Sequence, residues 1–326
     1  MALQQSFVTV GLPVYNAMPF LTEAVESLLT QTVSNFNILA IVDGADDGSL
    51  QYLETIRDPR LQVIVQPNLG LVATLNRMLE MTETEWLIRQ DADDISYPTR
   101  IERLQEEIAQ YPDAAVFYSL AEYYPPKRSL GLYRCSRGSP QKLRRIVRSG
   151  YLLSICHPSV ALHVRKTLAA GAYRDLRHAE DADLWWRLAL HYDIRLLPEV
   201  LVGFRQNASS ISSRNSYAQE LNGLYIQYLL LSHLSDREPL PLSVIAPLLK
   251  TEISMDMLAA KQHLRNLNMH LAAKRYSKAC AAFVHSLLAS PTYFFQRLRD
   301  EFFPLGTIAN GIPPEWFYRR KEAFWP

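Results

Sequence analysis

Apolar residues arrive in short blocks along the first part of the chain. Phe7-Val8-Thr9-Val10-Gly11-Leu12 is the first, Ile38-Leu39-Ala40-Ile41-Val42 the second, Leu61-Gln62-Val63-Ile64-Val65 the third and Trp86-Leu87-Ile88 the fourth. Each is short and nearly continuous, which predicts strands buried on both faces. Between the blocks the period lengthens. Phe20, Leu21, Ala24, Val25, Leu28 and Leu29 fall at helical spacing behind Pro19, a residue suited to a first turn. A second helix is predicted to run to about Arg57, and Leu71, Leu75, Met78 and Leu79 mark a third. Strand and helix in alternation predict an α/β fold, a mostly parallel sheet flanked by helices. Pro13 is expected to end the first strand.

In such sheets ligands bind beyond the carboxyl ends of the strands. Pro13 to Asn16, Asp43, Asn68 to Gly70 and Asp91 to Asp94 all follow predicted strands, so four polar loops are expected at one crevice. Asp91-Ala92-Asp93-Asp94 carries the strongest chemistry. Three acids in one turn repel one another unless a cation sits among them. An all-oxygen donor set suits Mg²⁺ or Mn²⁺, ions that bridge carboxylates to substrate phosphates. Neither GxGxxG after the first strand nor GxxxxGK[ST] is present, which disfavours dehydrogenases and P-loop NTPases.

Farther on, an amphipathic helix is predicted over Pro98–Gln110, a strand over Ala114–Ser119 and a basic helix over Ser139–Arg148. His157-Pro158-Ser159 interrupts an apolar run, and Glu180-Asp181-Ala182-Asp183 opens a helix whose apolar side holds Leu184, Trp185, Leu188 and Ala189. Of Trp185 and Trp186 one is expected in the core, because adjacent helix positions face different ways. Strands are predicted over Ile194–Leu197 and Val200–Phe204.

Composition narrows the picture. The chain has 326 residues, 48% apolar and 21% charged, which makes it globular, one large domain with an extension. A net charge of +1 argues against nucleic acid as a partner. Three scattered cysteines, Cys135, Cys156 and Cys280, give neither a zinc site nor a disulfide framework and suit a reducing compartment. The first residues lack a leader pattern, and no apolar run is long enough to span a bilayer. The expected location is cytoplasmic, with peripheral contact at the inner face of the cell membrane.

These pieces, in this order, resemble the family 2 glycosyltransferases of the GT-A (Rossmann-like) fold. The matching stretches are Val10–Asn16, Val42-Asp43-Gly44 through Asp47-Gly48-Ser49, Asn68-Leu69-Gly70 with Asn76, Asp91–Asp94, His157–Ser159, Glu180–Arg187, and Phe204-Arg205 with Ser210 and Ser212. The resemblance covers about Phe7 to Ser213. It implies inverting transfer of a sugar from a nucleotide-diphosphate donor, with a uracil base preferred, to a hydroxyl of a glycan or lipid-linked acceptor in cell-surface polysaccharide synthesis. It implies that Pro13, Tyr15, Asp43, Asn68, Gly70 and Asp91 bind the donor, that Asp93 binds Mn²⁺ or Mg²⁺, and that Asp181 is the general base. Glu180, His157, Arg205, Asn207 and Trp185 are further candidates, Trp185 as a platform for an acceptor sugar. Leu75 and Asn207 stand where many relatives carry arginine and histidine. Two rivals remain open at this point, a sugar nucleotidyltransferase and a non-catalytic sugar-nucleotide-binding partner of a synthase.

Residues 1–214 are thus the expected catalytic domain and 215–326 a helical C-terminal extension. Helices are predicted over Tyr217–Leu231, Thr251–Asn266 and Leu271–Ala289, the last with a stripe of Tyr276, Ala279, Cys280, Phe283, Val284, Leu287 and Leu288. Residues 216–326 carry 12 Lys+Arg and 9 Asp+Glu, against 22 and 24 in residues 1–215. Aromatics beside basic residues suit an anionic membrane surface. Packing on the catalytic domain or on a second copy in a homodimer is the competing reading.

Overall fold

A computed structural model describes residues 8–125, 131–176, 178–206, 215–302 and 308–325, the side chains of 300–302 excepted. The predicted strands form: β1 Val8–Val14, β2 Asn37–Asp43, β3 Leu61–Gln66 and β4 Trp86–Arg89. Between them lie α1 Phe20–Leu29, α2 Ser49–Thr55 and α3 Leu71–Met81. After β4 come β5 Ile95–Ser96, α4 Arg100–Gln110, β6 Val116–Tyr124, α5 Pro140–Arg148, β7 Leu152–Leu153, a 3₁₀ turn His157–Ser159, β8 Val160–His163, α6 Val164–Ala169, α7 Glu180–His191 and β9 Ile194–Arg205. Eight strands form one sheet in the order β3-β2-β1-β4-β8-β6-β9-β5. The β3-β2-β1-β4 half is parallel; β8 pairs antiparallel with β4 and β6, and β5 with β9.

β1 and β4, and β2 beyond Asn37, are buried on both faces, whereas the edge strand β3, expected to be buried too, leaves Gln62 and Val65 exposed. Val10, Leu12 and Val14 of β1 are fully buried on one face, above Leu21, Val25 and Leu28 of α1. On the other face Gly11 leaves room for α3 and for the neighbouring strand: a Cβ there would come 3.1 Å from Met78 Sδ of α3 and 2.9 Å from Leu87 Cδ1 of β4.

Two strand boundaries depart from expectation. Pro13 does not end β1, which runs on to Val14. The Gly11 carbonyl accepts from Gln90 N on the β4 side. By strand alternation Pro13 faces the same side two residues later, beyond the last β1–β4 pair at Gly11 and Arg89, where no donor is needed. The two strands predicted around Pro198 are one, β9, with Glu199 inside it.

The chain divides into two compact units, and the division does not fall at residue 214. Unit one comprises 1–122, 155–175 and 187–205; unit two comprises 123–154, 176–186 and 206–326. Segments that sequence order assigns to the sheet belong with the C-terminal helices because they hydrogen-bond there. β7 pairs with β10 (Ala309–Asn310), and Gln227 Nε2 donates to the carbonyls of Gly150 (2.9 Å) and Ile312 (2.7 Å).

The second unit is built from α8 Ser216–Leu234, α9 Leu242–Lys250, α10 Met255–Ala272, α11 Tyr276–Ala289, α12 Pro291–Phe302, α13 Glu315–Tyr318 and α14 Lys321–Phe324. Tyr228 is its centre. The ring packs among Phe317, Phe324 and Trp325, and its hydroxyl donates to the Phe324 carbonyl and accepts from Leu240 N, each at 2.7 Å. The predicted α11 stripe splits: Ala279 is buried, whereas Tyr276, Cys280, Phe283, Val284 and Leu288 are exposed. Among the described residues no helix is long and apolar enough to cross a membrane.

Candidate active site

Strand order reverses between β1 and β4: from β1 the chain first builds outward through β2 and β3, then returns to β4 on the other side. The loops after β1 and β4 therefore flank a topological switch point, where ligands bind in such sheets. The loop after β4 brings one ligand oxygen each from Asp91, Asp93 and Asp94 within 4.8 Å of one another.

Burial and mutual repulsion set the charge of this group. The Asp93 carboxyl is pushed up to about 6, first by burial and then by the neighbouring Asp91 charge. Burial, followed by the charges of Asp93 and Asp91, lifts the Asp94 carboxyl well above the carboxylate range. Asp94 Oδ1 accepts from Arg205 N at 2.7 Å, while the buried Oδ2 has no hydrogen-bond partner among the described residues. An orphaned buried oxygen within an all-carboxylate donor set fits a hard divalent cation.

Two buried arginines hold the acids in place. Arg89 Nη2 lies 2.5 Å from Asp91 Oδ1. Arg100 is fully buried in the first turn of α4 and remains cationic, although burial pushes it down to about 10. Its Nη1 donates to Gln90 Oε1 and Ser96 Oγ, both at 2.8 Å, and its Nη2 to the carbonyls of Arg89 (2.7 Å) and Pro158 (2.5 Å). Gln90 Nε2 in turn donates to the carbonyls of Asp91 (3.0 Å) and Asp94 (2.8 Å), bracketing the acid turn. Arg100 thus ties the end of β4 to the His157–Ser159 turn. Arg89, Gln90 and Arg100 were not singled out from the sequence, and Asp94 only as the third acid of the turn. The signal was present: two long polar residues separate the apolar strand from the acids, and Arg100 stands four residues before the buried Leu104, on the inward face of its helix.

The loop after β2 is fastened to the loop after β3. Buried Asp43 accepts from Gln66 Nε2 (2.8 Å) and Leu69 N (2.8 Å) on Oδ1, and from Gly70 N (2.9 Å) on Oδ2. Gly44 allows the approach: its φ is +70°, and a Cβ there would come 2.7 Å from Asn68 N. Asp47 Oδ2 accepts from Met18 N at 2.7 Å and Asn16 Oδ1 from Asp46 N at 3.0 Å, so the first loop joins the same assembly. Tyr15 is 55% exposed, Asn68 is exposed and Pro13 is buried. His157 Nε2 and Tyr173 Oη are 2.8 Å apart, and Asn76 bonds both the N–H and the carbonyl of Tyr173. Burial, helped by the Arg89 charge, keeps the His157 imidazole neutral. Arg205 reaches the acid turn from β9, its Nε donating to the Asp93 carbonyl at 2.8 Å and its Nη2 pairing with Glu23 at 2.7 Å. Asn207 lies outside the described residues.

Pro13, Tyr15, Asp43, Asn68, Gly70, Asp91, Asp93, His157 and Arg205 all belong to unit one. Glu180, Asp181 and Trp185 belong to unit two, in the first turns of α7. Asp181 Oδ1 accepts from Ala182 N at 2.7 Å, and buried Asp183 accepts from Trp186 Nε1 at 3.2 Å. Trp185 corrects its reading as a sugar platform. It is fully buried, Trp186 is buried as well, and every residue from Asp183 to Ala189 is buried, so this part of α7 has no solvent side on which a ring is offered.

A profile of the family described as Glycosyl transferase family 2 matches residues 9–169. An uncharacterized glycosyltransferase of Haemophilus influenzae is 30% identical over 205 residues, covering 61% of this chain and 75% of that protein. The chain belongs to glycosyl transferase family 2. The amylovoran biosynthesis glycosyltransferase AmsE of Erwinia amylovora is a further relative of this transferase, 26% identical over 201 residues, 60% of this chain and 74% of AmsE. Two solved structures share the GT-A fold. TarS of S. aureus, in complex with UDP-GlcNAc, superimposes with a TM-score of 0.54 at 15% identity, covering 86% of this chain and 91% of TarS. The mannosyltransferase PcManGT of Pyrobaculum calidifontis, in complex with GDP-Man and Mn²⁺, gives 0.54 at 14% identity, covering 93% and 88%. A family 2 glycosyltransferase transfers a sugar, which sets the nucleotidyltransferase rival aside.

Proposed function

We propose that this glycosyltransferase moves a sugar from a UDP-sugar to a hydroxyl of a glycan or lipid-linked acceptor, with inversion, in the building of a cell-surface polysaccharide. The observation that carries the reading is the trio of carboxylates at the switch point, with ligand oxygens within 4.8 Å and one buried oxygen left without a partner among the described residues. Asp93, flanked by Asp91 and Asp94, would hold Mn²⁺ or Mg²⁺. A divalent ion bound there supplies charge to neutralise the departing diphosphate. The UDP-GlcNAc and Mn²⁺ complexes of TarS and PcManGT support the donor class and the ion. The name of AmsE supports polysaccharide synthesis.

In this scheme the loop Pro13–Tyr15, Asn68 and Gly70 receive the nucleoside. Asp43 fixes the shape of the loop that Asn68 and Gly70 occupy and has a lone pair on Oδ2 for a uracil N–H. Asp181 takes the proton of the acceptor hydroxyl. The acceptor oxygen then forms the new bond to the anomeric carbon from the face opposite the breaking sugar–phosphate bond, whose electron pair leaves on the diphosphate. Thermal stabilisation by a panel of nucleotide sugars, with and without Mn²⁺, tests the proposal. The expected result is stabilisation by a UDP-sugar that deepens with the ion, followed by UDP release when acceptor is added. No stabilisation by any nucleotide sugar, or stabilisation indifferent to the ion, overturns it.

A further inference from the structure

Between Asp256 and Asp300 the chain contains no acidic residue. Those 43 positions, 257–299, carry seven basic ones: Lys261, Arg265, Lys274, Arg275, Lys278, Arg297 and Arg299. They form most of α10, all of α11 and most of α12.

The way α11 packs is the second observation. It turns its small residues inward: Ala279 and Ala282 meet Leu267 of α10, and Ser286 Oγ donates to the Ala260 carbonyl at 3.0 Å. Small residues bring the two helices close and leave the bulky apolar side facing out. Tyr276 is 64% exposed, Leu288 72% and Phe295 60%, with Phe283 and Val284 between them. The spacing 276, 283/284, 288 keeps these on one helix face. Phe283 meets Phe294 edge to face at 4.8 Å, and Phe294 meets Phe295 at 5.7 Å, which joins the start of α12 to the same patch. Lys274, Arg275 and Lys278 are exposed at the α11 N-terminal end.

An outward apolar face of this length, about 21 Å for fourteen helical residues, marks a docking surface. Charge selects the occupant. A second copy of the chain in a two-fold dimer would set this acid-free segment against itself, bringing lysine and arginine against lysine and arginine. An anionic bilayer offers both an apolar interior for the side chains and negative headgroups for the basic rim.

We propose that the α11–α12 face seats on an anionic lipid surface, the aromatic and aliphatic side chains entering the headgroup boundary and Lys274 and Arg275, at the end of the helix, meeting the phosphates. The inference stands apart from the transfer reaction and is tested without turnover. The full chain is mixed with vesicles of phosphatidylcholine alone, or with about one third phosphatidylglycerol, and floated at low and high salt. It should float with the anionic vesicles and be released by salt. Leu288→Glu with Phe295→Glu should weaken partition by about tenfold or more, with an unchanged melting temperature, since both side chains are exposed. Lys274→Glu with Arg275→Glu should have a similar effect and remove the salt dependence. Failure of the wild-type chain to float with anionic vesicles overturns the proposal, as does partition untouched by either double substitution. A solution dimer that Leu288→Glu with Phe295→Glu dissociates also overturns it, because a second copy then covers the face.

Discussion

Asp93→Asn is expected to make the ion-free protein more stable near neutral pH, although it removes a residue assigned to the site. The Asp93 carboxyl lies at about 6, against 3.8 for an ordinary aspartate, because it is buried and because Asp91 is charged beside it. Between those two values the folded chain holds a proton that the unfolded chain has released. Stability must then fall as pH rises through the window, by about 3 kcal/mol once both states are ionised. Asparagine carries no charge and no proton to lose. In urea unfolding with a chelator present, wild type and variant should be nearly equal at about pH 4, and the variant should lead by about 3 kcal/mol at about pH 8. Adding Mn²⁺ at the higher pH should raise wild type and leave the variant unmoved. The reasoning is refuted when the variant is the less stable one at high pH without metal, or when the gap between the two proteins does not change with pH.

Three further expectations follow from named contacts. Asp43→Asn places an amide N–H₂ against one of the donors Asp43 now satisfies, so it should cost about 2–3 kcal/mol in unfolding and weaken nucleotide-sugar binding; normal donor affinity would separate the 66–70 loop from the donor site. Arg100→Lys cannot reproduce the four bonds that the guanidinium makes to Gln90, Ser96, Arg89 and Pro158, so about 3 kcal/mol of stability should be lost and Mn²⁺ affinity should fall; unchanged affinity would show that the acid turn holds its shape unaided. Asp181→Asn should slow transfer by about a hundredfold or more while donor affinity stays within a few-fold; equal loss of both would count against a role as base.

The sheet was legible because most of its first strands are buried on both faces and bounded by Pro, Gly and Asp, so the blocks around Val10, Ile41 and Leu87 announce themselves; the block around Ile64 forms its strand at the sheet edge, where Gln62 and Val65 are exposed. The acid turn was legible only in context, since acid-rich turns after strands are common and it is the ordered motifs before and after Asp91–Asp94 that single this one out. Pairing partners were not. Pro13 reads as a strand end until β4 is seen to stop at Arg89, and Asp43 reads as an open acceptor until the amides of Leu69 and Gly70 are found on it. Nor could local order show that β7 pairs with residues more than 150 positions away, which moves the boundary between the two units. Trp185 was misread because adjacent positions on a helix diverge only where one side meets solvent.

The Arg89–Asp91 pair bears on the order in which ligands arrive. A lone cation approaching the turn meets a guanidinium already bound to one of its three carboxylates, and a second carboxylate that holds its proton up to about pH 6. Below about pH 6 it therefore finds little net charge to attract it. A diphosphate brings negative oxygens of its own, and these can share Arg89 with Asp91 and complete the ion's shell. On the proposed reading, metal titrated onto the empty protein below about pH 6 should give a shallow isotherm, which should steepen once nucleotide is present.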